Sequence, residues 1–238
     1  MHETLRPALA EAPVERSPGP GWPEIVAGAA AYAVLYAAVV VCLRQAVLSD
    51  TVAGLIGFAL SAVMGLGAFA VAALLRIRRL APFGLRRVSG RSLLAAVGFG
   101  VVAYVLATIA SLLYQAVAGD HQNVQVGYQA AAAGGIFWYL GVAVAGFVAT
   151  PIGEELLFRG VLANALGRYG AWVSVLASAA VFALVHGLNP VLPVAFVVGV
   201  INALLLRRTG SVWPGIVVHG VNNALAMSVP VIIGLASR

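Results

Sequence analysis

The chain contains no lysine and one cysteine, Cys42, and only 9% of its 238 residues are charged. Charged residues make up about a quarter of an ordinary soluble domain, so this scarcity excludes one. The single cysteine excludes an intrachain disulfide and a thiolate-built metal site; within an apolar stretch it reads as a small hydrophobe. Acids are scarcer still. Glu3, Glu11, Glu15 and Glu24 crowd the amino terminus, and only Asp50, Asp120, Glu154 and Glu155 serve the rest of the chain. What is present is apolar: 62% hydrophobic residues and a mean hydropathy of +1.00. These figures describe an integral membrane protein.

All 14 basic residues are arginine, giving a net charge of +6 and a pI near 10.1. In a soluble domain such an excess raises the question of nucleic acid. Here the arginines gather in short connections between apolar runs, which makes them a topology signal, and no nucleic-acid partner is expected. Arginine without lysine, together with abundant alanine, points to a GC-rich bacterial genome.

Residues 1–24 hold five prolines and four acids. They lack the apolar segment and cleavage site of a signal peptide and read as a disordered cytoplasmic tail. Residues 25–238 read as a single transmembrane domain. Runs free of Asp, Glu, Lys and Arg cover 25–43, 51–75, 92–119, 121–153, 169–206 and 209–237. A spanning helix needs about 20 apolar residues, so the first four runs and the last hold one span each. The fifth, broken at Asn189-Pro190, holds two. The expected architecture is an all-α, polytopic bundle of about seven transmembrane helices around a buried polar site. Arg76, Arg78, Arg79, Arg86, Arg87 and Arg91 lie between the second and third spans and place that loop in the cytoplasm. Counting outward puts the amino terminus, Arg159, Arg168, Arg207 and Arg208 on the same side, with Asp50, the loop 120–129 and the carboxyl terminus outside. The expected location is the plasma membrane. No internal repeat supports an inverted-repeat transporter.

Ionisable groups at membrane depth are expensive and mark functional sites by default. They are Glu154, Glu155 and Arg159 in the stretch Pro151-Ile-Gly-Glu-Glu-Leu-Leu-Phe-Arg-Gly160, His186 four residues after Phe182, and His219 in His219-Gly-Val-Asn-Asn223. On a helix Glu155 and Arg159 share a face, with the acid placed amino-terminal to the base, the better order for an ion pair. That leaves Glu154, about 100° around the helix, without a counter-ion and suited to act as a general base. Taken alone, the pair would be equally at home at a polar helix end. Glu154 and His186 are each 16 residues from Gly170, so antiparallel helices joined there hold the two at one height, roughly 24 Å from the turn. A lone intramembrane histidine is otherwise a core residue. His219 and Asn223, four apart, present an imidazole and an amide on one face and could donate to an oxyanion. Asn222 competes for that assignment, and Asn202 reads as an interhelical hydrogen bond.

The ordered set Glu-Glu-x-x-x-Arg, Phe-x-x-x-His and His-x-x-x-Asn resembles the CAAX-protease and bacteriocin-processing family of intramembrane endopeptidases. The segments Phe196-Val-Val-Gly199 and Arg208-Thr-Gly-Ser-Val-Trp213 add to the likeness. It covers residues 137–226; the first three helices are similar only in hydropathy. The resemblance implies hydrolysis of a peptide bond in a membrane-associated peptide or protein, with or without a lipid anchor. It assigns Glu154 and His186 to water activation, His219 and Asn223 to the oxyanion hole, and Glu155 and Arg159 to support. Asn202 stands where relatives often carry a small residue. The family was long described as metalloproteases, and Glu154, His186 and His219 are the alternative zinc ligands; a metal-free glutamate mechanism is the expectation, because no His-Glu-x-x-His occurs. The motifs of serine, aspartyl and site-2 intramembrane proteases are also absent. From other classes, a non-catalytic binding protein, in an immunity or scaffold role, and more weakly an ion-coupled transporter remain as alternatives.

Overall fold

The computed structural model describes residues 19–236, and among them every regular element is helical. Backbone polar groups in lipid must be satisfied within the segment, and these Ala-, Val- and Leu-rich runs do so as helices. They are α1 (Trp22–Leu43), α2 (Asp50–Leu75), α3 (Gly90–Ala118), the short α4 (Val126–Ala133), α5 (Ile136–Tyr169), α6 (Ala171–Leu184), α7 (Val191–Thr209) and α8 (Trp213–Ala236). The expected tail at 1–24 falls largely outside the described residues; α1 itself begins at Trp22.

Six of these helices are long and apolar enough to cross a membrane. The seventh expected span is α6, whose 14 residues reach only about 21 Å before Gly187 and Asn189-Pro190 end the helix. The fourth span is also displaced. It begins at Ile136, later than the run 121–153, and continues 34 residues through Glu154, Glu155 and Arg159 to the turn at Gly170, as the equal spacing of Glu154 and His186 from that turn requires. Charge did not end this helix because the charges find partners inside the bundle, whereas Gly134-Gly135 separates α4 from it.

α2 packs on α1, α4 and α5, while α3 packs on α7 and α8. α5 runs between these groups and turns into α6 at Gly170, whose φ of 113° a side chain would resist. Glu24 is fully buried at the start of α1, where it accepts from Arg76 Nε and Nη2 at 3.0 and 2.9 Å and from the Gly21 amide at 2.8 Å. This clamp joins the start of α1 to the end of α2. The Val212 amide donates to the Gly84 carbonyl at 2.9 Å, and Ser211 Oγ to the Arg86 carbonyl at 2.8 Å. The arginine loops therefore share one end of the bundle. Beneath them lies the largest apolar core, with Phe69, Phe83, Phe158, Phe182, Val212 and Ile216.

α2 and α5 cross on bare backbone. A Cβ on Gly65 would stand 2.5 Å from the Gly153 carbonyl carbon, and one on Gly153 would stand 2.7 Å from the Ala62 oxygen. Small residues permit such approaches in membranes, and this one sets Glu154 against α2. Gly153→Leu is expected to force the helices apart at a cost of about 1–3 kcal/mol, read as a lowered thermal midpoint in detergent. An unchanged midpoint would show that the crossing tolerates bulk.

Candidate active site

Two π-helical stretches, Ala143–Ala149 and Leu156–Ala163, bracket the paired glutamates of α5. Such widened turns leave carbonyls to other partners and recur at functional sites. Here the Gly146 carbonyl accepts from Asn223 Nδ2 of α8 at 3.0 Å, and the Ala163 carbonyl from Ser174 Oγ of α6 at 2.7 Å.

The two neighbouring carboxylates have different surroundings. Glu155 is fully buried and heavily engaged: Arg159 Nε lies 3.2 Å from Oε2, and Asn202 Nδ2 and His219 Nδ1 donate to Oε1 at 2.9 and 3.1 Å. Arg159 is equally buried, and its guanidinium stacks 4.4 Å from the centroid of the Phe182 ring. Its three nitrogens have no hydrogen-bond partner among the described residues, so the ion pair and the aromatic face carry its charge. Glu154 receives a hydrogen bond from Ser61 Oγ at 2.6 Å and has His219 Nε2 at 3.7 Å from Oε2. No arginine pairs with it among the described residues.

His219 thus stands between both carboxylates. A carboxylate only accepts, so Nδ1 carries a proton toward Glu155 and Nε2 faces the Glu154 side. His186 follows the same logic, with Nδ1 donating to the Phe182 carbonyl at 2.8 Å and Nε2 left free. Phe182 is the hub of the arrangement: its ring centroid is 4.9 Å from those of Phe158 and His186 and 5.7 Å from that of His219. The Phe158–Phe182 contact has the antiparallel register about Gly170 that sets Glu154 and His186 at one height. The two line one cavity of about 990 Å³ together with His219, Asn222 and Asn223. The histidine close to Glu154 is nevertheless His219.

Asn222 Nδ2 reaches Asn223 Oδ1 at 3.3 Å, and Asn223 retains a second amide hydrogen beyond the one given to Gly146. Among the described residues, no three His, Cys, Asp or Glu side chains are arranged to hold a metal ion.

Sequence reasoning missed Ser61, although a lone serine within the apolar run of α2 was a visible signal. Asn202, read from the sequence as an interhelical hydrogen bond, makes one from α7 to α5, and its partner is Glu155. Ser61→Ala removes a hydrogen bond to a charged group, worth about 1.5–3 kcal/mol. If that bond positions Glu154 for the reaction, turnover of the folded protein should fall by about tenfold or more, in addition to the loss of stability. Unchanged turnover would make the contact incidental.

With this geometry in place, residues 135–225 match the family model described as type II CAAX prenyl endopeptidase, Rce1-like. That is the CAAX-protease and bacteriocin-processing family. The match runs from the start of α5 into α8 and contains Glu154, Glu155, Arg159, His186, His219 and Asn223. No curated protein and no solved structure matches the chain.

Proposed function

We propose that the chain is a multi-spanning endopeptidase that hydrolyses a peptide bond of a membrane-associated protein or peptide, using a water activated by Glu154. The observation that carries this reading is the division of labour between the adjacent glutamates. Glu155 is consumed by three partners, whereas Glu154 keeps a carboxylate on the cavity wall with only a hydroxyl donor and a nearby imidazole. A group so placed can take a proton from water.

In the proposed reaction Glu154 accepts the proton as the water oxygen attacks the scissile carbonyl, and His186 Nε2 orients the water. His219 acts in this step as the imidazolium, with the Glu155 carboxylate as its counter-ion at Nδ1, so that Nε2 also carries a proton for the oxyanion, and Asn223 supplies its second amide hydrogen. Collapse of the tetrahedral intermediate breaks the C–N bond, and the proton held by Glu154 passes to the leaving amine. Asn222, Asn202 and Arg159 position these groups. The arginine-rich end is read as cytoplasmic, in a bacterial plasma membrane.

The test is a comparison of membrane-protein amino and carboxyl termini between cells expressing wild type and cells expressing Glu154→Gln at equal levels. Termini found only with the wild type identify the activity and its substrate. If none differs while deletion of the gene retains a phenotype, a binding role replaces the peptidase.

A further inference from the structure

α1, α2, α3 and α7 line the large cavity beyond Glu154 with the half remote from the arginine loops, and α8 lines it with its middle. α1 and α3 do so with their carboxyl-terminal halves, from Tyr32 to Leu43 and from Tyr104 to Gln115. α2 and α7 use their amino-terminal halves, from Ala53 to Met64 and from Val191 to Val198, and α8 continues from His219 to Met227. Toward the arginine loops the path is filled by the buried cluster of Phe69, Phe83, Phe158, Val212 and Ile216. The cavity reaches Leu48, Val124 and Gln125, in the connections at the opposite end. α1 packs on α2 and α3 on α7 and α8, which leaves this channel between the two groups.

A second, smaller hollow of about 220 Å³ adjoins the mouth and shares Ser111, Gln115, Val124 and Gln125 with the main cavity. It adds His121, Gln122, Asn123, Gln129 and Pro190. The vestibule is thus rich in carboxamides, with one imidazole and no acid or arginine on its wall. Carboxamides offer a donor and an acceptor on one plane, the pair that a peptide main chain also presents, and they impose no charge preference. Deeper in, the hydroxyls of Tyr32, Tyr104 and Tyr128 interrupt an otherwise apolar wall.

We propose that the substrate enters from the membrane face opposite the arginine loops, as an extended peptide segment gripped by the amide-rich vestibule. By the positive-inside rule this is the extracytoplasmic face. The inference rests on the endopeptidase reading for its substrate, but the direction of access can be tested without activity.

Thr108 lies on the cavity wall, in the half of α3 remote from the arginines. Thr108→Cys would be placed in a Cys42→Ser background, since Cys42 is exposed, with Arg87→Cys in the same background marking the arginine end. A charged, membrane-impermeant thiosulfonate is then applied to right-side-out and inverted vesicles. The inference expects Thr108→Cys to react from the side opposite to that at which Arg87→Cys reacts. Reaction of both from one side, or no reaction of Thr108→Cys from either, would overturn it. In a second arm, a bulky maleimide on Gln125→Cys is expected to abolish the wild-type-dependent termini, and the same adduct on Arg87→Cys to leave them. Persistence of the termini with the Gln125→Cys adduct would overturn the vestibule as the entry. If no termini exist, the peptidase reading fails, while the labelling result still decides the direction of access.

Discussion

Glu154→Gln is expected to reduce turnover by roughly 10²–10⁴-fold without unfolding the protein. Glutamine keeps the shape of the side chain and an oxygen to accept from Ser61 Oγ, now 2.6 Å from the carboxylate. It cannot take a proton from water. Because Glu154 has no arginine partner among the described residues, neutralising it strands no counter-ion. A preserved thermal midpoint with lost turnover would separate chemistry from folding. His219→Gln should also lower turnover, by about 10²–10³ if it removes one oxyanion donor. Full activity in the Glu154→Gln protein, measured on a peptide built from an identified terminus, would remove the general base from the mechanism.

Arg159→Met is expected to act on the opposite quantity. Breaking a buried ion pair from one side costs about 3–5 kcal/mol, because the remaining charge stays buried. Glu155 would keep Asn202 and His219 but lose its arginine. Phe182 would lose the guanidinium over its ring, and the position of His186 and His219 depends on that ring. The measured sign would be a large drop in folded yield and thermal midpoint. The double variant Glu155→Gln with Arg159→Met removes both charges of the ion pair and should recover much of the stability, though not the activity, since His219 then lacks its anionic anchor. Destabilisation of the double variant equal to that of Arg159→Met alone would show that the pair is held for packing, not charge.

The pattern of apolar runs carried the fold because lipid leaves a chain few alternatives to helices. It set the limits of one span less well, for an identifiable reason. Counting charge-free stretches assumes that charges end a membrane helix, yet α5 carries Glu154, Glu155 and Arg159 through its interior, where they are paired or turned to a cavity. The length of α6 was set by Gly187 and Asn189-Pro190, and hydropathy alone does not register that stop. At the site, spacing was enough for residues on one helix: Glu155 with Arg159 at four, and the equal distances of Glu154 and His186 from Gly170. Relations between distant helices were not legible. Nothing in the separation of Ser61 from Glu154, or of Asn202 from Glu155, encodes their meeting, which depends on the Gly65–Gly153 crossing and on the packing of α7. The nearness of His219 to both carboxylates is likewise a product of tertiary packing.

The central claim is that a water activated by Glu154, and not the carboxylate itself, attacks the peptide bond. The decisive measurement is a single turnover in heavy-oxygen water, with purified enzyme in excess over a peptide spanning an identified cleavage site, followed by mass spectrometry of product and enzyme. The account predicts one heavy oxygen in the new carboxyl terminus of the product and none in Glu154. Heavy oxygen in the Glu154 side chain, or a hydroxylamine-trapped adduct there, would contradict it by making the glutamate the nucleophile.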